Sequence, residues 1–232
     1  MSAELHVHRY ESRNDLAEAL AGGIAAVLAG GIATRGSASL AVSGGSTPGL
    51  LFDHLAQTDI EWSAVTVTLV DERYVPEDNP RSNAAMVRER LLTHRASTAT
   101  FVPHYRPNVT PQTAADELDR AIGRMMNLDA IVLGMGTDGH TASFFPDGDS
   151  FERVTDPEAD EFAFPIFVPS QGDGGEQRTT LTMPAIVRAR FLALHVEGEE
   201  KRDMFNRATE GADLPITRVL NSARTLEVFW TP

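Results

Sequence analysis

Three short apolar runs constrain this chain more than any other feature. Ser39-Leu40-Ala41-Val42, Val65-Thr66-Val67-Thr68-Leu69-Val70 and the segment Asp129 to Met135 are each the length of a strand and rich in β-branched or aliphatic residues. Each ends in a glycine- or charge-rich stretch and is followed by a helical pattern. That rhythm predicts an α/β chain with a mostly parallel, doubly wound, Rossmann-like sheet. Ligands of such sheets bind beyond the carboxyl ends of the strands, so the three loops are expected to converge on one crevice.

The third loop, Gly134-Met135-Gly136-Thr137-Asp138-Gly139-His140-Thr141-Ala142-Ser143-Phe144-Phe145-Pro146, follows Ala130-Ile131-Val132-Leu133. Its glycines let the backbone turn sharply and approach a ligand. Asp138 and His140 lie two residues apart, and histidine exchanges a proton near neutral pH. The pattern fits a catalytic loop better than a packing element; a glycine-rich turn with an incidental surface histidine is the alternative.

The first loop, Ser43-Gly44-Gly45-Ser46-Thr47-Pro48, has a legible local chemistry. Thr47 is expected to cap a helix from Pro48 to about Ala56, with Pro48 in the first turn. Gly44 and Gly45 let several N–H groups converge beside that helix start, the makings of an anion site; a tight strand-to-helix turn with no ligand is the alternative. It is no Walker A loop, because no Lys-Ser/Thr pair follows. The second loop, Asp71-Glu72-Arg73-Tyr74-Val75-Pro76, sets two carboxylates and a guanidinium at a strand end. Such groups are costly to bury unless they pair or bind something. A solvated charged turn is the alternative.

Elsewhere the pattern predicts a first strand at Leu5–Tyr10 near an edge and a helix over Asp15–Leu28 that stops at Gly30-Gly31. Ser82 or Asn83 is expected to cap a helix reaching Leu91 or Leu92. Phe101–Tyr105 reads as a short strand or extended linker, and Pro111 opens a helix to about Met126. Residues Asp147 to Glu161 are acidic and loop-like, a candidate lid. Phe162–Val168 is a strand that Pro165 confines to an edge or bulge. A glycine-rich loop follows at Gln171–Gln177, and Pro184 starts a short helix. Phe191–Val196 is a strand, Lys201 lies early in a helix ending near Ala208, Pro215–Leu220 is helical, and Leu226–Trp230 is the last strand. Residues 1–232 are expected to form one domain.

Composition excludes some functions. A net charge of −13 argues against a nucleic-acid partner, which needs a basic face. There is no cysteine, which fits a reducing cytoplasm. No long apolar run or signal pattern points to a membrane. An anionic substrate would need local cations and N–H groups working against the global field. Of the 20 basic side chains only Lys201 is a lysine, so it stands out.

Together these motifs resemble the 6-phosphogluconolactonase family. The resemblance rests on Ser43 to Pro48, on Asp71 to Pro76 with Ser82-Asn83, on Gly134 to Pro146, and on Arg178-Thr179-Thr180-Leu181-Thr182-Met183-Pro184 and Gly198-Glu199-Glu200-Lys201, all in order. A wider group includes glucosamine-6-phosphate deaminases and, more distantly, ribose-5-phosphate isomerases. The resemblance implies a three-layer αβα fold and hydrolysis of 6-phospho-D-glucono-1,5-lactone, a phosphorylated sugar lactone, with no metal or organic cofactor. By the same resemblance His140 is the catalytic general base, Asp138 orients it, and Arg73 binds the developing oxyanion or sugar hydroxyls. Gly44, Gly45, Ser46 and Thr47 hold the phosphate or close the sugar pocket. Asp71 joins the substrate site, and Arg178 and Lys201 are the phosphate-binding cations.

The deaminases are the nearest rival. Their Gly-Asp-Gly-His motif continues into Asn-Glu-Pro, whose carboxylate pairs with the histidine, whereas this chain reads Ser143-Phe144-Phe145-Pro146. Asp71 matches the deaminase's proton-abstracting aspartate and does not separate the two. A non-catalytic sugar-phosphate sensor would carry a DNA-binding domain, for which this chain has no room. A dinucleotide enzyme needs a Gly-x-Gly-x-x-Gly helix start, and a serine hydrolase needs a Gly-x-Ser-x-Gly elbow; neither is present. Oligomeric state is not legible.

Overall fold

The computed structural model describes residues 3–125 and 127–232. In chain order the strands are β1 (Glu4–Arg9), β2 (Ala38–Val42), β3 (Val65–Leu69), β4 (Asp71–Arg73), β5 (Thr100–Val102), β6 (Ala130–Gly134), β7 (Ala163–Val168), β8 (Glu176–Leu181), β9 (Phe191–Glu197) and β10 (Thr225–Thr231). The helices are α1 (Arg13–Arg35), α2 (Gly49–Gln57), α3 (Asn83–Met86), α4 (Pro111–Met125), α5 (Phe151–Thr155), α6 (Met183–Val187), α7 (Glu199–Thr209) and α8 (Pro215–Ser222). The expected end of the fourth helix at Met126 lies outside the described residues.

Seven strands pair in parallel in the order β1-β10-β9-β6-β2-β3-β5. The central strands are apolar on both faces because both are covered. Leu40, Val42, Ala130 and Val132 face a core shared with α1 and α2. Ala41, Ile131 and Leu133 face the opposite core, shared with α4, α6, α7 and α8. This is the three-layer, doubly wound arrangement expected, with β1 on an edge.

The order in which strands are added across the sheet reverses between β2 and β6. From β2 the chain steps outward through β3 to β5, then returns to β6 and steps the other way through β9 to β10. Val42 pairs with Val132 at this switch point, and the Ser43 N–H donates to the Val132 carbonyl at 3.0 Å. The loops after these two strands leave on opposite sides of the sheet and open a crevice between them.

A second, antiparallel sheet in the order β4-β8-β7 was not legible beforehand. It gives the stretch Asp71 to Arg73 a strand conformation rather than that of a charged turn. Pro165 lies in β7, an edge strand of this sheet, as expected.

Four local expectations need correction. Helix α1 does not stop at Gly30-Gly31 but continues to Arg35 and is closed by Gly36, whose φ is 78°. Gly31 is buried, and a Cβ there would lie 3.1 Å from both the Ala38 Cβ and Asp129 Oδ1, so close packing keeps a glycine inside the helix. By length and composition α1 could cross a membrane, contrary to the expected lack of a long apolar run, yet Leu16, Leu20, Ile24 and Leu28 are buried in the sheet core. Thr47 does not cap α2; Pro48 occupies that position with no side-chain bond, and Thr47 is used elsewhere. Within 147–161, residues Phe151–Thr155 are helical. Ser82 does cap α3, accepting from the Ala85 N–H at 3.2 Å, and the helix continues as a π-turn over Val87–Leu91.

Candidate active site

The loop after β6 is built around a histidine and a carboxylate. The Gly136 N–H donates to the His140 carbonyl at 2.9 Å, closing a tight turn whose Gly139 has φ 82°. Inside it, His140 Nδ1 lies 2.6 Å from Asp138 Oδ1, and the His140 N–H donates to the same oxygen at 3.1 Å. In the neutral ring the proton therefore sits on Nδ1 and is donated to Asp138, which leaves Nε2 as the basic atom. The hydrogen bond from His140 lowers the Asp138 carboxyl to about 2, against a smaller opposing effect of burial. Phe145 stacks on the imidazole with centroids 4.3 Å apart, fixing its plane. Ala142 adopts φ 51°, a left-handed conformation that alanine pays to enter, just before Ser143.

The opposite wall comes from β4 and β8. Arg73 faces Arg178 directly across this antiparallel ladder. Two like charges so placed repel unless each has its own counter-charge. Arg178 has several: Nη2 donates to Asp71 Oδ2 at 2.7 Å, Nε donates to Ser143 Oγ at 2.7 Å, and Nη1 donates to Glu176. Ser143 Oγ in turn donates to Asp71 Oδ2 at 2.6 Å. Burial alone would raise the Asp71 pKa, but Arg178, the Ser143 hydroxyl and Arg73 together hold it below the usual carboxylate range. Arg73 is less provided for. Its Nη1 donates to the Arg81 carbonyl, while its buried Nε has no protein partner among the described residues. Burial, and then the Arg178 charge, lower its pKa. A guanidinium under that pressure is stabilised by an incoming anion or developing oxyanion.

Glu72, beside Arg73, holds the loop that frames this wall. It accepts from the backbone N–H groups of Arg73, Asn83 and Ala84 and from the Ser82 hydroxyl, at 2.8–3.0 Å. Burial raises its pKa despite these donors. Asn83 donates to the Asp71 carbonyl at 2.9 Å and fills the space over Gly44, where a Cβ would come within 2.1 Å of it.

The third wall is the loop after β2. Ser43 Oγ accepts from the Gly134 N–H at 3.0 Å, tying this loop to β6. Thr47 Oγ1 accepts from Lys201 Nζ at 3.1 Å, which explains why it does not cap α2. Lys201 sits in the first turn of α7 after Gly198, whose φ is 90°. Burial lowers its pKa, while the charges of Glu197 and Glu200 oppose that shift.

These walls enclose a cavity of about 210 Å³. His140, Arg73, Gly44, Gly45, Ser46, Thr47, Asp71, Arg178 and Lys201 all line it, and Asp138 stands behind His140. The sequence-based set thus converges on one place. Arg178 differs in its chemistry from the expectation, because all three guanidinium nitrogens are committed to protein groups. Ser143, Glu176 and His195 were missed. Ser143 carries no local signal, since Asp71 and Arg178 lie 72 and 35 residues away. Glu176 lies two residues from its partner Arg178, but only the fold shows that the pair is buried. His195 did leave one, as the single ionisable residue inside the apolar run Phe191 to Val196.

Acid–base chemistry on one side of a topological switch point, facing cations and a glycine loop on the other, defines an α/β enzyme of small anionic substrates. The chain belongs to the family described as glucosamine-6-phosphate isomerases/6-phosphogluconolactonase, whose model matches residues 11–230. It is 47% identical over 233 residues to a 6-phosphogluconolactonase of Mesorhizobium japonicum, covering 99% of this chain and 97% of that one. A 6-phosphogluconolactonase of Rhizobium meliloti is 45% identical with complete coverage of both chains. The crystal structure of a 6-phosphogluconolactonase from Shewanella baltica superposes with a TM-score of 0.93 at 36% identity, covering 100% of each chain.

Proposed function

We propose that this protein hydrolyses 6-phospho-D-glucono-1,5-lactone to 6-phosphogluconate, the second step of the oxidative pentose phosphate pathway, in the cytoplasm. Its relatives' names support the reaction, and the His140–Asp138 pair on the crevice wall is the single observation that carries the mechanism. His140 Nε2 takes a proton from water as its oxygen attacks the lactone C1. Asp138 stabilises the resulting imidazolium, and Arg73 stabilises the oxyanion. Collapse of the tetrahedral intermediate breaks the bond from C1 to the ring oxygen. That oxygen receives the proton back from His140, and the new carboxylic acid loses its own proton to solvent. Lys201, Thr47 and the amides of Gly44 to Ser46 bind the phosphate. Arg178 supplies positive potential while it holds Asp71 and Ser143 in place.

The deaminase reading is disfavoured by the state of Asp71. Abstracting a carbon-bound proton needs a free carboxylate of raised basicity. Asp71 is buried, tied to Arg178 and Ser143, and held below the usual carboxylate range. The test is hydrolysis of freshly made lactone, with proton release followed near neutral pH. His140→Ala is expected to lose roughly 10²- to 10⁴-fold in kcat. Glucosamine 6-phosphate offered to the same enzyme is expected to release no ammonia. Ammonia release, or full activity of His140→Ala, would overturn the reading.

A further inference from the structure

The crevice holds a second histidine–carboxylate pair that the mechanism above leaves unused. His195, on β9, lines the cavity and is 2% exposed. Its Nε2 lies 3.0 Å from Glu197 Oε1, and Glu197 is itself anchored by Arg13 Nε at 3.3 Å. The other ring nitrogen, Nδ1, is buried and has no partner among the described residues. In the neutral ring Nε2–H donates to Glu197 and Nδ1 lacks a donor; in the charged ring Nδ1–H lacks an acceptor. Either way the protein leaves one buried polar atom unsatisfied, which native structures rarely do without a ligand or water to complete it.

Its surroundings indicate which ligand group would do so. Glu197 also acts on Lys201, whose ammonium reaches Thr47 on the glycine loop. The strands flanking His195 present the uncharged residues Gly134 and Phe229 at its level. Lys201, which lines the same cavity, Arg13, which pairs with Glu197, and the loop N–H groups give this end of the crevice the character of an oxyanion site. His140 and Asp138 serve the chemistry elsewhere in the crevice.

We propose that His195 is a ligand-binding residue of the crevice that Lys201 also lines, its Nδ1 completing the recognition of the substrate's phosphate. It does so as an Nδ1–H donor in the charged ring or, in the neutral ring, through one water that donates to both Nδ1 and the phosphate. The inference rests on the phosphorylated-lactone reading for the identity of that anion. Glu197 acts as a positioning residue by holding the ring through Nε2.

Two amide substitutions separate the ring nitrogens. Asparagine places a polar atom near the position of Nδ1, and glutamine places one near that of Nε2. His195→Gln is expected to raise KM for 6-phosphogluconolactone and to weaken inorganic phosphate binding, measured by calorimetry, by roughly 10- to 100-fold. Most of the loss falls in KM rather than kcat. His195→Asn is expected to retain more of both. Asparagine weaker than glutamine would mean that His195 serves only Glu197, and unchanged phosphate binding in both variants would remove the role altogether; either overturns the proposal. Should neither variant fold, nitrogen NMR of the histidine-labelled wild type decides, because Nδ1 of His195 must shift on addition of phosphate. Wild type that binds phosphate with this pattern yet hydrolyses no lactone would refute the proposed function and leave the anion site standing. Active wild type with indifferent His195 variants would refute this inference alone.

Discussion

Gly136 lies directly under the His140 ring: a Cβ at residue 136 would come within 2.4 Å of both Cε1 and Nδ1 and within 2.5 Å of Asp138 Oδ1. The glycine is therefore a requirement of the histidine–aspartate pair and not only of the turn. Gly136→Ala has to push the ring or the carboxylate aside, while strand β6 beneath it remains paired on both sides. Displacing a catalytic group by about 1 Å costs on the order of 10²-fold in rate. The expected result is a loss of kcat of that size with far-UV circular dichroism unchanged. Wild-type kcat in this variant would mean that the pair does not set the rate.

Arg178 carries the buried polar network of the β4–β8 wall, and its removal should be felt as stability. Arg178→Met leaves Asp71 buried without its paired cation, while Glu176 keeps only Arg81. Breaking a buried pair from one side costs about 3–5 kcal/mol. For a chain of this size that lowers Tm by roughly 10 °C. Adding Asp71→Asn to Arg178→Met should recover part of the loss, because it removes one stranded charge. A melting curve unchanged in the single variant would show that the network contributes little.

The network also explains what the sequence hid. Strands β2, β3, β6 and β9 are buried on both faces, so each reads as an apolar run, and the crevice at their ends could be anticipated. Strands β4 and β8 read as Asp-Glu-Arg and Glu-Gln-Arg-Thr-Thr-Leu, which look like solvated loops. They become strands because Asp71 and Arg178 neutralise each other across 107 residues, a match that no local pattern records. Thr47 was misread for a similar reason: its hydroxyl is taken by Lys201, 154 residues away. His195 was visible as a polar interruption of a strand, but its burial against Glu197 needed the fold.

Gly30 and Gly31, misread as a helix stop, make a paired prediction. Gly30 is exposed within α1, and a Cβ there would meet nothing within 4 Å. Gly30→Ala should stabilise the protein by about 0.5–1 kcal/mol, through helix propensity and a less flexible unfolded chain. At Gly31 the added Cβ would lie 2.7 Å from Arg35 Nη2 and 3.1 Å from Asp129 Oδ1. Asp129 accepts from the Ser39 N–H at 2.9 Å, so the strain would reach the start of β2. Gly31→Ala should therefore destabilise by about 1–3 kcal/mol. Chemical denaturation of both variants checks the contrast, and equal effects would refute the packing explanation.

His104 gives the fold a pH dependence of its own. It is 1% exposed, and its Nδ1 is 3.3 Å from the Thr179 carbonyl on β8. Burial pushes its pKa down to about 4, against smaller opposing effects from the Thr179 carbonyl and Asp71. In the unfolded chain a histidine takes up its proton near pH 6.5. Below that pH the unfolded state binds a proton that the folded state refuses, so stability falls as pH drops from about 6.5 to about 4. The slope approaches about 1.4 kcal/mol per pH unit, and the loss totals roughly 3 kcal/mol before the folded ring also protonates. Carboxylates add their own acid dependence, so the informative quantity is the difference from His104→Phe, which keeps a ring and removes the titration. Between pH 7 and pH 4 the wild type should lose about 3 kcal/mol relative to that variant in urea unfolding. Parallel curves for the two proteins would show that His104 is not held neutral by burial.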